Sequence, residues 1–486
     1  MKAFPHQIEG VAYALARDYT YLSWGMGSGK TFAGVMIAMD ARVVVVVCPQ
    51  SVGPAWVRHF TELDPEREVV EAFSGDSAKR AAAIVAGGRG GRRLAVIVNY
   101  DSVWRPAIAK AIETKPIECV ICDEAQRIKS PGAKASRYLH RLAKKFPRAR
   151  RLCLSGTPLP NNPLDAYGQW RFLDDQVFGT SFAVFRSRYA IPHPKFPQGN
   201  IGYRNQEELA AKMAECSHTV STDAVLSLPP EQHVTVEVPL SAKETKFYRE
   251  MAERFVAEIA GGGLVTAANA MVKLLRLQQA CSGHTAVKHD DGRVEKFLLD
   301  DHDGSGRTSK GRALADWLAD VPEREPVVVF SKFREDLEQT RLAASSAGRP
   351  CFALAGGVNE LAEWQAATGG EVLAVQLQSG GVGVDLSRAS IAAYMSIGHS
   401  LGEYEQSLAR TRRYGQKGDR CLYYHFVATS PAGIRGSGSR GANQTADALV
   451  YNALTAKEKV VDCVFDLVVA ANPGGAKHAR AEKAGE

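Results

Sequence analysis

The chain has 486 residues, enough for two or three domains. Its 45% hydrophobic content is ordinary for a globular protein, and its longest apolar run, Val43–Cys48, is far too short to span a bilayer, which excludes a helical membrane protein. The net charge of +7 permits a polyanionic partner without demanding one, and nine dispersed cysteines point to reduced thiols and a cytoplasmic location.

The opening MKAFPHQIEG has neither the apolar core nor the cleavage site of a signal peptide. YTYLSW predicts a strand, a glycine-rich turn follows, and TFAGVMIAMDA has helical spacing. RVVVVVCP, RLAVIVNY, ECVICDE and RLCLSG predict four more strands. Runs of Val, Ile and Leu without alternation, separated by helices, predict a parallel sheet covered on both faces. Cys119 and Cys122 have CxxC spacing, but no second pair follows, so they read as strand filling. This first α/β lobe is expected over 1–160.

From 161 to 288 the pattern is mostly helical, with long amphipathic stretches at Ser241–Ala260 and Ala267–Ala280 and one alternating segment, HVTVEVPL. The polar stretch 289–311 reads as a linker. Strand–helix alternation resumes over 312–471 with PVVVFS, CFAL, EVLAVQL, IAAYMSI and CLYYHFV. Thr429–Asn443 has loop composition, and 472–486 reads as a flexible tail. Basic clusters stand at Gly87–Leu94, Arg141–Leu152 and Ala409–Arg420; each, taken alone, reads more readily as a solvated face than as a contact surface.

WGMGSGKT, between a strand and a helix, has the setting of a phosphate-binding loop. Gly25, Gly27 and Gly29 allow a tight turn in which backbone amides, including those of Met26 and Ser28, face a phosphate at a helix N-terminus. Lys30 can reach the β- and γ-phosphates of ATP, and Thr31 can ligate Mg²⁺. Trp24 stands where the usual pattern has its first glycine. A sheet of this type needs a second strand ending in an acid that holds the cation. Asp123, at the end of VICDEAQRIKSPG, fits that place, and the adjacent Glu124 can deprotonate the attacking water.

With these motifs on the page, the chain resembles the Swi/Snf-like DNA translocases of helicase superfamily two. FPHQIEGVAYAL is similar to a Q-type motif, which implies that Gln7 reads adenine. VVVVCPQSVGPAWVRHF and AVIVNYDSV resemble early DNA-contacting motifs. VICDEAQRIKSP resembles the DEAH box, with Gln126 for histidine, and RLCLSGTPLPNNPLDAYGQWRFLD the third motif, with Ser155 where threonine is common. FGTSFAVFRSRY, LSLPPEQHVTVEVPLSAKETKFY and LLRLQQACSGH are similar to the family's inter-lobe segments, which general helicases lack. VVVFSKFREDLE, VQLQSGGVGVDLSRAS and YEQSLARTRRYGQKGDRCLYYHFV resemble motifs IV, V and VI, with Arg412 for a usual histidine.

The resemblance implies two tandem RecA-like P-loop lobes with helical insertions, and ATP hydrolysis between them. Arg410 and Arg413, three apart on an expected helix, are implied to be arginine fingers. Ser155, Thr157, Gln126 and Gln406 are expected to couple nucleotide state to closure, although a Ser-Gly-Thr-Pro turn is also a common strand exit. Gly383 and Asp385 are expected at the nucleotide. Gln378 and Ser379 are expected on a nucleic-acid backbone, a glycine turn being the alternative. Arg58, Lys129 and Lys332 are candidate phosphate contacts, each, taken alone, more readily read as an ordinary surface charge.

The expected partner is double-stranded DNA, gripped without regard to sequence, by a chain that acts as a monomer. No wedge or chromatin-reading domain is visible, which fits a minimal bacterial or bacteriophage core. A strand-separating helicase and a slow ATP-switched clamp stay open as alternatives; a small-molecule kinase leaves the second lobe unexplained.

Overall fold

The computed structural model describes residues 3–73, 75–160, 162–192, 200–220, 228–260, 267–288, 294–301, 303–377, 384–429 and 445–456. The chain forms two compact units, the first built mainly from Met1–Leu228 and the second mainly from Pro229 onward.

In chain order the first unit contains β1 (Tyr19–Trp24), β2 (Val43–Cys48), β3 (Glu68–Ala72), β4 (Leu94–Asn99), β5 (Cys119–Asp123) and β6 (Arg150–Ser155). A short hairpin follows, β7 (Ala190–Pro192) with β8 (Asn200–Tyr203), and then β9 (Ser217–Val220). Seven of these strands form one sheet, ordered β3-β4-β2-β5-β6-β1-β9, and every neighbouring pair is parallel. The strand period of two explains why β2 can be all apolar. Val43, Val45 and Val47 enter the core on one face, while Val44, Val46 and Cys48 enter the core on the other. Cys119 and Cys122 likewise face opposite cores, so the CxxC spacing brings no thiol pair together. All described cysteines are free.

The second unit contains β10 (Glu231–Pro239), the hairpin of β11 (His284–Lys288) and β12 (Val294–Leu298), then β13 (Val327–Ser331), β14 (Cys351–Ala355), β15 (Val358–Asn359), β16 (Val372–Gln376), β17 (Ile391–Tyr394) and β18 (Cys421–Thr429). Its sheet runs β10-β18-β17-β13-β16-β14-β15, parallel except for the edge pair β14–β15.

The described elements shift two expected bounds. The first unit runs on to Leu228, past the expected end at 160, because β9 adds to its sheet beside β1. The segment 161–288 carries long helices at Ala242–Ala260 and Ala267–Cys281 and also five strands, of which β9 joins the first unit's sheet and β10 the second's. The expected linker 289–311 contains β12 and the start of the helix Ser309–Asp320, whose N-cap Thr308 accepts a hydrogen bond from the Gly311 amide. The strands missed by sequence, such as EVVEA and SHTV, are short and interrupt their apolar residues with polar ones, so their strand state comes from pairing with a neighbour rather than from pattern. The segments 430–444 and 472–486 lie outside the described residues.

Candidate nucleotide site

β5, β6 and β1 are adjacent and parallel, so their C-terminal ends meet at one edge of the first sheet. Ser23 of β1 is level with Ser155 of β6, and Leu154 of β6 with Asp123 of β5. The glycine loop, the acidic pair and the Ser-Gly-Thr-Pro turn, separated by up to 130 residues of sequence, therefore share one rim. That rim is where open α/β sheets bind ligands.

The loop is built as a cradle. Gly27 and Gly29 have φ of 76° and 78°, in the left-handed region that favours glycine. The Ser28 hydroxyl donates to the Gly25 carbonyl at 2.7 Å. Lys30 begins the helix Lys30–Ile37, and its Nζ donates to the carbonyls of Trp24 and Gly25 at 2.8 and 2.9 Å. Burial lowers the Lys30 pKa, while Glu124 and Asp123 pull it back up.

Trp24 is fully buried and donates its indole N–H to His218 Nδ1 at 2.9 Å. A Cβ at Gly10 would fall 2.1 Å from its ring. The departure from the usual loop glycine is thus a core residue that joins the first helix, Pro5–Leu15, to β9.

Gln7 lies on that helix, against the loop. Its Oε1 accepts from the Phe4 amide at 2.9 Å, its Nε2 donates to the Ser28 carbonyl at 3.1 Å, and His6 Nε2 lies 2.8 Å from the same carbonyl. A Cβ at Gly29 would meet Gln7 Nε2 at 2.2 Å. Gln7 therefore braces the phosphate loop from behind.

The acidic pair is held by residues that the sequence did not single out. Asp123 Oδ2 accepts from the Trp56 indole at 2.8 Å, Asp123 Oδ1 accepts from the Glu124 amide at 3.0 Å, and the Asp123 carbonyl accepts from the Tyr100 hydroxyl at 2.7 Å. The available signal was Trp56 itself, since a buried indole N–H must find an acceptor. Burial, followed by the neighbouring Glu124, raises the Asp123 pKa to about 6; the Trp56 hydrogen bond and Lys30 oppose this. Glu124 has φ 54° and ψ 54°, a left-handed conformation uncommon for a residue with a side chain. The two carboxylates have different side-chain partners, Trp56 for Asp123 and Gln126 for Glu124.

From Glu124 a hydrogen-bonded chain runs to the next strand. Gln126 Nε2 donates to Glu124 Oε2 at 2.5 Å, the Ser155 hydroxyl donates to Gln126 Oε1 at 2.7 Å, and the Thr157 amide donates to the Ser155 hydroxyl at 3.0 Å. Gln126 and Ser155, which depart from the family's commonest residues, complement one another here.

Among the described residues, no cluster of three or more His, Cys, Asp or Glu could hold a metal ion. Mg²⁺ takes one or two protein oxygens and completes its shell with phosphate and water. The Thr31 hydroxyl and the Asp123 carboxylate fit such a donor set, beside a second buried acid whose repulsion a divalent cation would offset.

The remaining candidates spread more widely. In the second unit, Arg410 lies on the helix Leu401–Thr411, 8% exposed, with Gln406 half-buried on the same helix. Arg413 does not share that helix, as had been expected. The helix ends at Thr411 because Arg412 turns out of helical geometry (φ −88°, ψ 83°) and donates to the Pro229 carbonyl. Arg413 Nε instead lies 3.9 Å from Asp385 Oδ2, which joins two predicted site residues.

Lys332 differs from an exposed phosphate contact. Its Nζ donates to Gln278 Oε1 at 2.9 Å and lies 2.8 Å from His399 Nε2, and burial lowers its pKa to about 8. Lys129 sits 3.5 Å from Asp165 Oδ2, and Arg58 is exposed on the helix Gly53–Leu63. Gln378, Ser379 and Gly383 lie outside the described residues.

The SNF2-related domain model matches residues 6–286, more than half of the chain. The chain belongs to the SNF2-related family. This makes it a helicase-like nucleoside-triphosphate hydrolase, and its two α/β units each carry a mainly parallel sheet, as the tandem lobes implied by the motifs would.

Putative protein p41 of Acyrthosiphon pisum secondary endosymbiont phage 1 is 26% identical over 470 residues, covering 91% of this chain and 93% of that protein. The DNA annealing helicase and endonuclease ZRANB3 of Bos taurus is 23% identical over 496 residues, 94% of this chain. The ISWI chromatin-remodeling complex ATPase ISW1 of Saccharomyces cerevisiae is 22% identical over 446 residues, 85% of this chain. This SNF2-related chain spans 40% and 37% of the length of those two proteins. A solved SWI2/SNF2 ATPase core from Sulfolobus solfataricus in complex with dsDNA is 18% identical, with a TM-score of 0.42, covering 97% of this chain and 95% of that one.

Proposed function

We propose that this SNF2-related protein is an ATP-dependent translocase on double-stranded DNA. The observation that carries the reading is the relay Glu124–Gln126–Ser155–Thr157. It ties the acid that would handle the attacking water to the strand end next to the phosphate loop.

In the proposed cycle the loop amides from Gly25 to Thr31 bind the triphosphate, and Lys30 exchanges the Trp24 and Gly25 carbonyls for phosphate oxygens. Gln7 keeps the loop in shape and would present its remaining amide hydrogen to the adenine. A water oxygen attacks the γ-phosphorus, its proton passes to Glu124, and the bond to the β-phosphate oxygen breaks to give ADP and phosphate. Thr31 and Asp123 would hold Mg²⁺, which when bound neutralises charge on the β- and γ-phosphates. Arg410 and Arg413 supply positive charge to the transferring group. Gly383 and Asp385 belong to the same nucleotide machinery, and Gln406 with the relay reports nucleotide state.

Arg58, Lys129, Lys332, Gln378 and Ser379 are the proposed backbone contacts, with Lys332 exchanging Gln278 and His399 for phosphate. Such contacts carry no sequence information, so the grip is sequence-independent. A monomer in the cytoplasm goes with this reading. Among the described residues, no helix is long and apolar enough to cross a membrane.

The test compares ATP turnover with single-stranded DNA, duplex DNA, branched DNA and RNA, and adds displacement of a third strand from a triplex. Stimulation by duplex with triplex displacement and little unwinding of a plain fork is expected. Robust fork unwinding without blunt-duplex activity would replace translocation by strand separation. Duplex binding with no stimulated turnover would leave an ATP-switched clamp. Arg410→Ala should slow turnover steeply at nearly unchanged nucleotide affinity, because its charge acts on the transition state; parental turnover would remove it from the mechanism.

A further inference from the structure

We infer that the solvent face of the helix Lys134–Lys145 is an additional contact for the phosphate backbone of duplex DNA, separate from the motif residues above. The helix, KASRYLHRLAKK, contains no acidic residue. It buries Ala135, Ser136, Tyr138, Leu139, Leu142 and Ala143, and its basic residues Lys134, Arg137, Arg141, Lys144 and Lys145 are all exposed. Spaced at three and four residues, these five fall within an arc of about 100°. The exposed Arg148 follows just past the helix end.

The ion pairs distinguish this row from an ordinary solvated face. Lys144 lies 2.9 Å from Asp175, and Lys145 lies 2.7 Å from Glu113. Lys134, Arg137, Arg141 and Arg148 have no carboxylate partner among the described residues. Among the described residues, their ring contacts are Lys134 over Trp104 at 4.4 Å and Arg141 over Tyr138 at 5.7 Å. An unneutralised row of fixed cations costs self-repulsion that a polyanion would relieve.

The geometry selects the kind of polyanion. Twelve residues rise about 18 Å, the axial length of roughly five phosphates of one strand at ~3.4 Å each. Single-strand grooves add aromatic platforms on which bases stack. Here Tyr138 is buried, the Trp104 ring is capped by Lys134, and the exposed face carries no aromatic residue. A cation row without stacking rings fits a regular backbone whose bases are already paired.

The proposal rests on the DNA-acting reading, and the experiment separates the two. Duplex binding by the full chain is measured by anisotropy across a salt series for the parent, Arg137→Gln/Arg141→Gln and Arg137→Glu/Arg141→Glu. A single strand of the same sequence serves as the second probe. Loss of two phosphate contacts should flatten the slope of log K against log salt by about 1.8. The Glu pair should weaken duplex binding roughly 10- to 100-fold near 0.1 M salt, with the unfolding midpoint unchanged because both side chains are solvated. Parental slope and affinity in both variants would overturn the surface while leaving the motor intact. A larger loss on single strand than on duplex would overturn the duplex assignment. A parent that binds no duplex at all would remove the DNA reading, and this surface with it.

Discussion

Replacing Gln126 by Ala would cut the relay at its charged end. Its amide donates to the Glu124 carboxylate at 2.5 Å, and Glu124 is only 7% exposed, so water cannot fully replace the lost donor. A hydrogen bond to a charged group contributes about 1.5–3 kcal/mol. If that energy holds Glu124 in register with the attacking water, the turnover number should fall roughly 10- to 150-fold. The KM for ATP should barely move, because Gln126 positions the acid rather than the nucleotide. Ser155→Ala breaks only the neutral link to Gln126 Oε1, about 0.5–1.5 kcal/mol, and should cost roughly 2- to 12-fold. The two act in series, so the double variant should be no slower than Gln126→Ala alone. Steady-state ATP hydrolysis over a range of ATP concentrations measures all three. A Ser155→Ala defect larger than that of Gln126→Ala, or multiplying defects in the double, would refute the series arrangement.

Asp123 has a folded pKa raised to about 6, above its usual carboxylate value, so the folded state holds its proton more tightly than the unfolded chain does. Its contribution is fully present below the unfolded pKa and is lost as pH rises through about 6. Urea unfolding of the nucleotide-free protein at pH 4–8 should therefore show Asp123→Asn gaining on the parent as pH rises, with the difference levelling off above pH 7. Trp24→Gly restores the glycine of the usual loop but empties a fully buried site, and should lower stability by about 3–5 kcal/mol; a thermal melt at parental midpoint would contradict the core role. In the second unit, Lys310 Nζ and Asp447 Oδ2 form a buried pair at 2.5 Å. Lys310→Met should cost about 3–5 kcal/mol by leaving the buried carboxylate without its cation, and Lys310→Met/Asp447→Leu should recover only part of it because the Ala428 amide then loses its Asp447 acceptor, as read by denaturant unfolding.

The positions of the glycine loop and the acidic pair, at the ends of β1 and β5, could be read directly from the chain. Each is a contiguous run whose residue types are dictated by local chemistry: glycines that tolerate positive φ, a helix start, and an acid at a strand end. The buried strands could be read for a similar reason, since a parallel strand covered on both faces must be apolar throughout. The short strands β3 and β9 could not, because their state depends on the strand beside them.

Tertiary structure alone decided how the site is held together. Trp56 reaches Asp123 across 67 residues, Ser155 reaches Gln126 across 29, and Gln7 reaches Ser28 across 21. It also decided that Arg413 leaves the helix of Arg410 for Asp385, and that Lys332 is enclosed by Gln278 and His399. A hydrogen bond joins atoms by distance and angle, and a linear pattern encodes neither for residues that meet only after the sheet has formed.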